Sequence, residues 1–303
     1  MRYVPRVAVV GSFMMDLVVR APRRPTRGET VIGSSFGMFP GGKGANQAVA
    51  AARLGAKVSM IGRLGKDAFG DTFLRLMAEE GIDTSGVVVD DAVGTGVGNP
   101  VVEDTGENSI IIVPQANSNL SKQDIHESAR TIGGADVLLL QLEVPMEASL
   151  AAARIAHEAG VKVVLNPAPA AELSDSFLSM VSVIVPNEIE FEGLTGTTPH
   201  DLTVTAEASR HLMVNGPSTV VVTIGSRGAY VVEAGNAVHV PTEKVDKVID
   251  TTGAGDAFCG ALAFGIASGK TIVDAVTYAN KAAGIAVTRL GAIPSLPNAD
   301  EIR

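Results

Sequence analysis

Short runs of aliphatic and β-branched residues recur along this chain with helical segments between them, and that alternation limits the fold more than any other feature. Arg6–Val10 (RVAVV), Val137–Leu140, Val161–Leu165, Val181–Val185 and Thr219–Thr223 are largely continuous apolar runs with no polar face. Strands of this kind are buried on both sides, which implies a mostly parallel sheet covered by helices on both faces. Helical spacing appears from Ala45 to Ala52, Asp67 to Glu80, Ser121 to Ile132, Met146 to Ala159 and Val204 to Val214, and two further helices end the chain. Gly81 and Gly160 close two of these segments. The fold class is therefore α/β, a three-layer sandwich on a mostly parallel central sheet.

Two β excursions interrupt the alternation. Leu17–Arg20 and Thr30–Phe39 read as short strands around a Pro/Arg-rich stretch, and Val97–Val102 and Ser109–Val113 read as a hairpin around Glu103–Asn108. Together, over about 14–40 and 96–114, they predict a small β layer, with Pro100 marking an edge or a bulge. A hairpin-like pair is expected at Ala229–Val240. With no repeat or long linker, the reading is one domain over 1–303.

Composition narrows the class. At 46% hydrophobic and 19% charged residues, the chain has the balance of a globular protein. No apolar run reaches the roughly 18 residues of a membrane span, and no signal-peptide pattern opens the sequence, so the expectation is a cytoplasmic protein without a membrane partner. A net charge of -9 argues against nucleic acid as a partner. An anionic ligand must then be held locally, by backbone amides and a few basic side chains. The lone Cys259 reads as a small buried residue, and His126, His157, His200, His211 and His239 stand too far apart for metal-ligand spacing.

The stretch that carries chemistry is Asp250–Gly260, DTTGAGDAFCG. Two glycines, Gly253 and Gly255, precede a charge-free helical run, so the backbone can approach a ligand and the free N–H groups of the first turn attract an anion. Asp256 sits in that first turn. It is either an acidic partner of the helix dipole or a group that takes a proton from a nucleophile bound there, and the residues alone leave both open. Two apparent nucleotide motifs fail. Gly265–Thr271 is one residue short of a Walker A loop and lies at a helix end, where Gly269 reads as a C-cap; Gly253–Gly260 lacks dinucleotide-binding spacing.

Four segments together, GGKGANQAVAAARLGA from Gly41, LNPAPA from Leu165, PNEIE from Pro186 and DTTGAGDAF from Asp250, resemble the ribokinase-like family of carbohydrate kinases, in family order over about Val7–Pro297. The resemblance implies ATP-dependent phosphorylation of a sugar hydroxyl on an α/β sandwich with a β lid that often forms the dimer contact; since the two β excursions cannot bury both faces alone, a homodimer through Leu17–Phe39 and Val97–Val113 is expected. Asp256 matches the general base, and Thr252 to Gly255 (Gly253, Ala254, Gly255) match the anion hole. Asp16, Gly42, Lys43, Asn46, Glu143 and Asp256 match sugar-binding positions, although Glu143 by itself would be a solvated loop acid. Asn187 and Glu190 match an N-x-x-E motif that helps organise Mg²⁺ and phosphates, where Glu190 alone would read as a surface acid. Thr223, Gly225, Ser226 and Gly228 (TIGSRG), with Asn280, match the nucleotide site, and Gly255 serves it too. Asp250, Thr252, Ala286, Arg289, Gly291 and Ser295 match an activating K⁺ site built largely of backbone oxygens.

Met14 departs from the ribokinase pattern. Ribokinases resemble GSxNxD where this chain has Gly11-Ser-Phe-Met-Met-Asp16. A thioether cannot replace an amide, whereas deoxyribokinases look similar to this chain in carrying methionine there. The implied substrate is D-ribose or 2-deoxy-D-ribose, with 2-deoxyribose favoured. Other readings are a nucleoside or other sugar kinase of the same family, or a sugar-binding regulator without catalysis; retention of Asp256 behind the Gly253–Gly255 turn argues against the last.

Overall fold

In this computed structural model, which describes residues 3–214 and 216–302, β1 (Arg6–Val10) lies inside a nine-stranded sheet and feeds both of its faces. Val7 and Val9 enter one core and Ala8 and Val10 the other, as the two-residue period of a strand requires. The chain then leaves the body for β2 (Met14–Ala21) and β3 (Ser35–Gly41), returns through α1 (Lys43–Arg53), and lays β4 (Lys57–Gly65) parallel to β1. Asp67 caps α2 (Ala68–Glu79) by accepting from Gly70 N, and Gly81 at φ 68° releases the chain into β5 (Asp83–Asp90), the edge strand beside β4. A second excursion forms β6 (Val97–Glu103) and β7 (Asn108–Val113).

From there α3 (Lys122–Glu127) and α4 (Ala129–Gly133) lead into β8 (Val137–Leu140), α5 (Met146–Glu158) into β9 (Lys162–Leu165), and α6 (Asp175–Leu178) into β10 (Val183–Ile184). Two helices, α7 (Glu188–Thr195) and α8 (Leu202–Met213), precede β11 (Thr219–Thr223). The hairpin β12 (Ala229–Glu233) and β13 (Asn236–Val240) then pairs antiparallel on β11, and α9 (Ala254–Ala267) and α10 (Ile272–Ala286) follow.

The large sheet runs β13-β12-β11-β10-β9-β8-β1-β4-β5, parallel from β11 to β5. Side chains from α1, α2, α9 and α10 fill the core on one face, and those from α3 to α8 fill the other. The parallel strands therefore deliver their C-terminal ends to one edge, where α/β sheets hold ligands. The excursions make a separate four-stranded sheet of order β3-β2-β6-β7. No helix among the described residues is long and apolar enough to cross a membrane.

Five readings of the sequence are corrected. Pro100 marks neither an edge nor a bulge: β6 lies between β2 and β7 in constant register, and Pro100, which has no N–H, falls where the ladder with β2 skips from Asp16–Gly98 to Val19–Val101. The helix expected over 121–132 is two, because Ser128, a weak helix former, takes φ -91° and ψ 6°. The strand expected from Thr30 starts at Ser35, which pairs with Arg20; β2 ends one residue later, so earlier residues have no ladder to join. The run Val181–Val185 narrows to the two residues of β10. β5 went unread because Gly86 and its polar neighbours break up the apolar pattern of an edge strand. Gly269, at φ 78° just after the last residue of α9, is the helix terminator it was read to be.

Candidate active site

The end of β1 and the start of α1 touch through glycines. A Cβ on Gly11 would lie 2.2 Å from Gln141 Oε1 and 2.7 Å from Gly44 Cα, and one on Gly44 would lie 2.4 Å from Ser12 N. Gly42, at φ 89°, opens α1 with no side chain to cap it. The cap comes from across the sheet instead: Glu143 Oε2, in the loop after β8, accepts from Lys43 N at 2.9 Å and from Ser12 Oγ at 2.5 Å. Glu143 is thus a part-buried helix cap, not a solvated loop acid.

Asp256 lies in the first turn of α9, which Gly253 opens at φ 76°. Its side chain is buried, and both oxygens are held from α1: Asn46 Nδ2 donates to Oδ2 at 2.8 Å and Gln47 Nε2 donates to Oδ1 at 2.9 Å. Burial pushes the carboxyl up, while Lys43 and the two amides work against that rise. Lys43 is the local cation. Burial disfavours its charge, but Asp256, Glu143 and Glu190 outweigh burial and hold its ammonium above the ordinary range. Asn46 Oδ1 is buried with no hydrogen-bond partner, a free acceptor next to Asp256. Burial also raises the Cys259 thiol well above its usual value, in keeping with a packed residue.

Asp16 reaches the same region from the second sheet. Glycines on both neighbouring strands leave room for it: a Cβ on Gly98, its partner on β6, would lie 2.3 Å from Oδ1, and one on Gly41 of β3 2.8 Å from Oδ2. Burial first, and then the charge of Glu143, raise its pKa from 3.8 to about 6. Met14, 5% exposed, lines a cavity of about 510 Å³ with Lys43, Ile112, Leu142, Glu143 and Glu190. Gly42 packs so closely that its Cβ would lie 2.7 Å from Met14 N.

Asn187 and Glu190 form a capping box at the start of α7. Asn187 Oδ1 accepts from Glu190 N, while the Glu190 oxygens accept from Asn187 N and Nδ2, each at 2.8–2.9 Å. Glu190 is only 7% exposed, so it is no surface acid, and burial raises its carboxyl. Asn187 bridges to Thr223 at the end of β11, which brings this motif beside the Thr223–Gly228 turn. There Gly225 and Gly228 take φ 57° and 95°, and a Cβ on Gly228 would stand 2.2 Å from Val240 O; Ser226 is exposed. Asn280 Nδ2 donates to Val240 O at 3.0 Å and borders a separate cleft of about 600 Å³ between 242–249 and α10. A further cavity, of about 940 Å³, includes Glu190 from this set.

Asp250 ties the loop before α9 to the C-terminal segment. It accepts from Thr252 N and Oγ1 and, at 2.9 Å, from Gly291 N. Gly253 is pressed against Ala292, Ser295 Oγ donates to Ala292 O, and Arg289 N donates to Ala286 O. Sequence reasoning missed Ser12, Gln47, Gln141 and Asn166, the residues behind the front rank. The one signal was a glutamine directly after Asn46 in an alanine-rich helix.

A mostly parallel sheet that ends beside a largely apolar cavity carrying Lys43, Glu143 and Glu190, with a buried carboxylate on a glycine-opened helix nearby, is the arrangement of an α/β small-molecule kinase. The chain belongs to the pfkB family of carbohydrate kinases, whose sequence model matches residues 4–299. It is 41% identical over 295 residues to a ribokinase of Haemophilus influenzae, covering 97% of this chain and 96% of the relative. It is 38% identical over 296 residues to a deoxyribokinase of Salmonella typhi, covering 97% and 96%. Its fold matches that of Arabidopsis thaliana ribokinase complexed with ribose and ATP, at a TM-score of 0.93 and 30% identity, over 99% of this chain and 98% of that one. The chain is a sugar kinase of the ribokinase type.

Proposed function

We propose that this kinase transfers the γ-phosphoryl group of ATP to the 5-hydroxyl of a pentose, that it prefers 2-deoxyribose to ribose, and that Asp256 is the general base. The observation that carries the preference is Met14, a thioether in the wall of the cavity that also presents Lys43 and Glu143. The Arabidopsis relative's ribose and ATP support the substrate pair. The sugar oxygen attacks phosphorus, its proton passes to Asp256, and the bond to the ADP oxygen breaks. Amides of Gly253, Ala254 and Gly255 oppose the charge on the phosphoryl oxygens. Asp16, Gly42, Lys43, Asn46 and Glu143 orient the sugar, and Asn46 Oδ1 is an acceptor ready for a hydroxyl. Thr223, Gly225, Ser226, Gly228 and Asn280 hold the nucleotide.

Two metal ions fit the donor sets. Both Glu190 oxygens already accept from Asn187, which suits Mg²⁺ held through its own waters and shielding phosphate charge. At the proposed K⁺ site Asp250, Thr252, Ala286, Arg289, Gly291 and Ser295 would contribute oxygens, mostly of the backbone, and Arg289 only its carbonyl because its guanidinium pairs with Glu301. In this set only Asp250 is a carboxylate, and a donor set of such low charge suits a singly charged cation such as K⁺. Equal rates in potassium and in a large inert monovalent cation would remove the K⁺ site.

Comparison of kcat/KM on ribose and 2-deoxyribose tests the central reading. An apolar wall rejects an added hydroxyl only modestly, so 2-deoxyribose is expected to be favoured by roughly 10–100-fold with ribose still a substrate. Met14→Asn shifts the ratio toward ribose. A ribose preference that this substitution leaves unchanged would sink the assignment.

A further inference from the structure

Of the two amides that hold Asp256, Asn46 belongs to the sugar-binding set, but Gln47 does not. It is fully buried, and every polar atom of its amide is engaged. Nε2 donates to Asp256 Oδ1 at 2.9 Å and to Asn166 Oδ1 at 3.2 Å, and Oε1 accepts from Gln141 Nε2 at 2.6 Å. Asn166, after β9, is itself fixed by donating to Val185 O at 3.1 Å. Turning the Gln47 amide over would set its oxygen against the carboxylate and its N–H groups against the Gln141 donor. Gln141 keeps this polarity at a cost, since its own Oε1 is buried without a partner and a buried acceptor left unpaired is destabilising. Gly11 leaves the space that Gln141 occupies, as any Cβ there would overlap its amide.

We propose that Gln47 is a positioning residue that fixes the Asp256 carboxylate for proton transfer, and that Gln141 sets the direction in which the Gln47 amide faces. The inference rests on the reading of Asp256 as the general base. Lys43, Asn46 and Gln47 face Asp256 from α1, Glu143 from the loop after β8, Glu190 from α7, and Cys259 from α9 itself. Lys43 and the two amides favour its charged form, so loss of the Gln47 donor moves the acid limb of kcat to higher pH.

Gln47→Met keeps the length of the side chain and removes the donor. The pentose KM is expected to stay within about threefold and kcat to fall by ~10–100-fold, the scale of a slightly misplaced reacting group, with the acid limb shifted upward. Gln141→Met, which does not touch Asp256, shifts the limb the same way by less. In an Asp256→Asn background, where kcat is already ~10²–10⁴-fold lower, Gln47→Met adds no further loss. A kcat within about twofold of the parent and an unmoved limb overturn the proposal, as does an equal loss in the Asp256→Asn background, which is the mark of a merely structural role. Should Gln47→Met melt early or bind no pentose, the pH limb of Gln141→Met decides: moved upward it supports the relay, unmoved it overturns it. Near-parental turnover of Asp256→Asn alone removes the base reading itself, a result separable from every other arm.

Discussion

A carboxylate that sits between two glycines, with no cationic partner among the described residues, is expected to burden the fold, and Asp16 is such a residue. Its pKa of about 6, against 3.8 ordinarily, means the folded chain holds this proton more tightly than the unfolded chain does. The sign follows from linkage: stability rises as pH falls through 6 toward 4, and above pH 6 the ionised Asp16 weakens the fold by about 3 kcal/mol. Asp16→Asn is therefore expected to raise the melting temperature at pH 8 more than at pH 5, while it raises the pentose KM. An equal change at both pH values would show that Asp16 ionisation does not burden the fold. At this scale only Asp256, in the first turn after Gly253 and Gly255, stood out from the residues themselves; Lys43, Asn46 and Asp16 were legible only through the family resemblance. Gln141 and Asn166 were not legible, since their roles exist only where ends of β8 and β9 meet α1, 94 and 119 residues away in sequence.

The element that matters most to the site is the pair α1–α9, since one helix carries Asp256 and the other both of its amide partners. Small residues let the helices approach, and Gly260 marks the tightest point: a Cβ there would lie 2.5 Å from Ala50 Cβ and 2.7 Å from Gln47 O. Backbone atoms cannot rotate away as a long side chain could. Gly260→Ala must push the helices apart, with an expected loss of ~1–3 kcal/mol in denaturant unfolding and a fall in kcat larger than any change in pentose KM. Unchanged stability would mean the contact relaxes freely. Continuous apolar runs made the central strands readable, because strands buried on both faces need no alternation. The capping-box geometry of Asn187 and Glu190 escaped the reading: their motif is also a helix start signal, and only the fold shows Glu190 turned back onto its own helix.

At the scale of the whole molecule, the second sheet is incomplete by itself. Its two edge strands expose Phe36, Met38 and Phe39 on β3 and Ile110, Ile111 and Val113 on β7, with Ile111 67% exposed. Unpaired edges lined with large apolar side chains are what soluble proteins usually cover. The expected cover is a second copy of this chain, joined through the paired sheets as a homodimer. In a two-fold contact each substitution acts twice. Replacing an apolar side chain that becomes buried by a charged one removes at least ~1.5 kcal/mol per copy, so Ile111→Lys should weaken association by ~10²-fold or more. Ile112, the next residue, lines the cavity proposed for the sugar with Met14 and Lys43, so the proposed dimer contact and the proposed site would share a strand. The monomeric variant should accordingly show a raised pentose KM with its melting temperature little changed. Sedimentation at micromolar concentration reads the first outcome and steady-state kinetics the second. A parent chain that sediments as a monomer, or an Ile111→Lys variant as tightly associated as its parent, would locate the partner elsewhere or dispense with it.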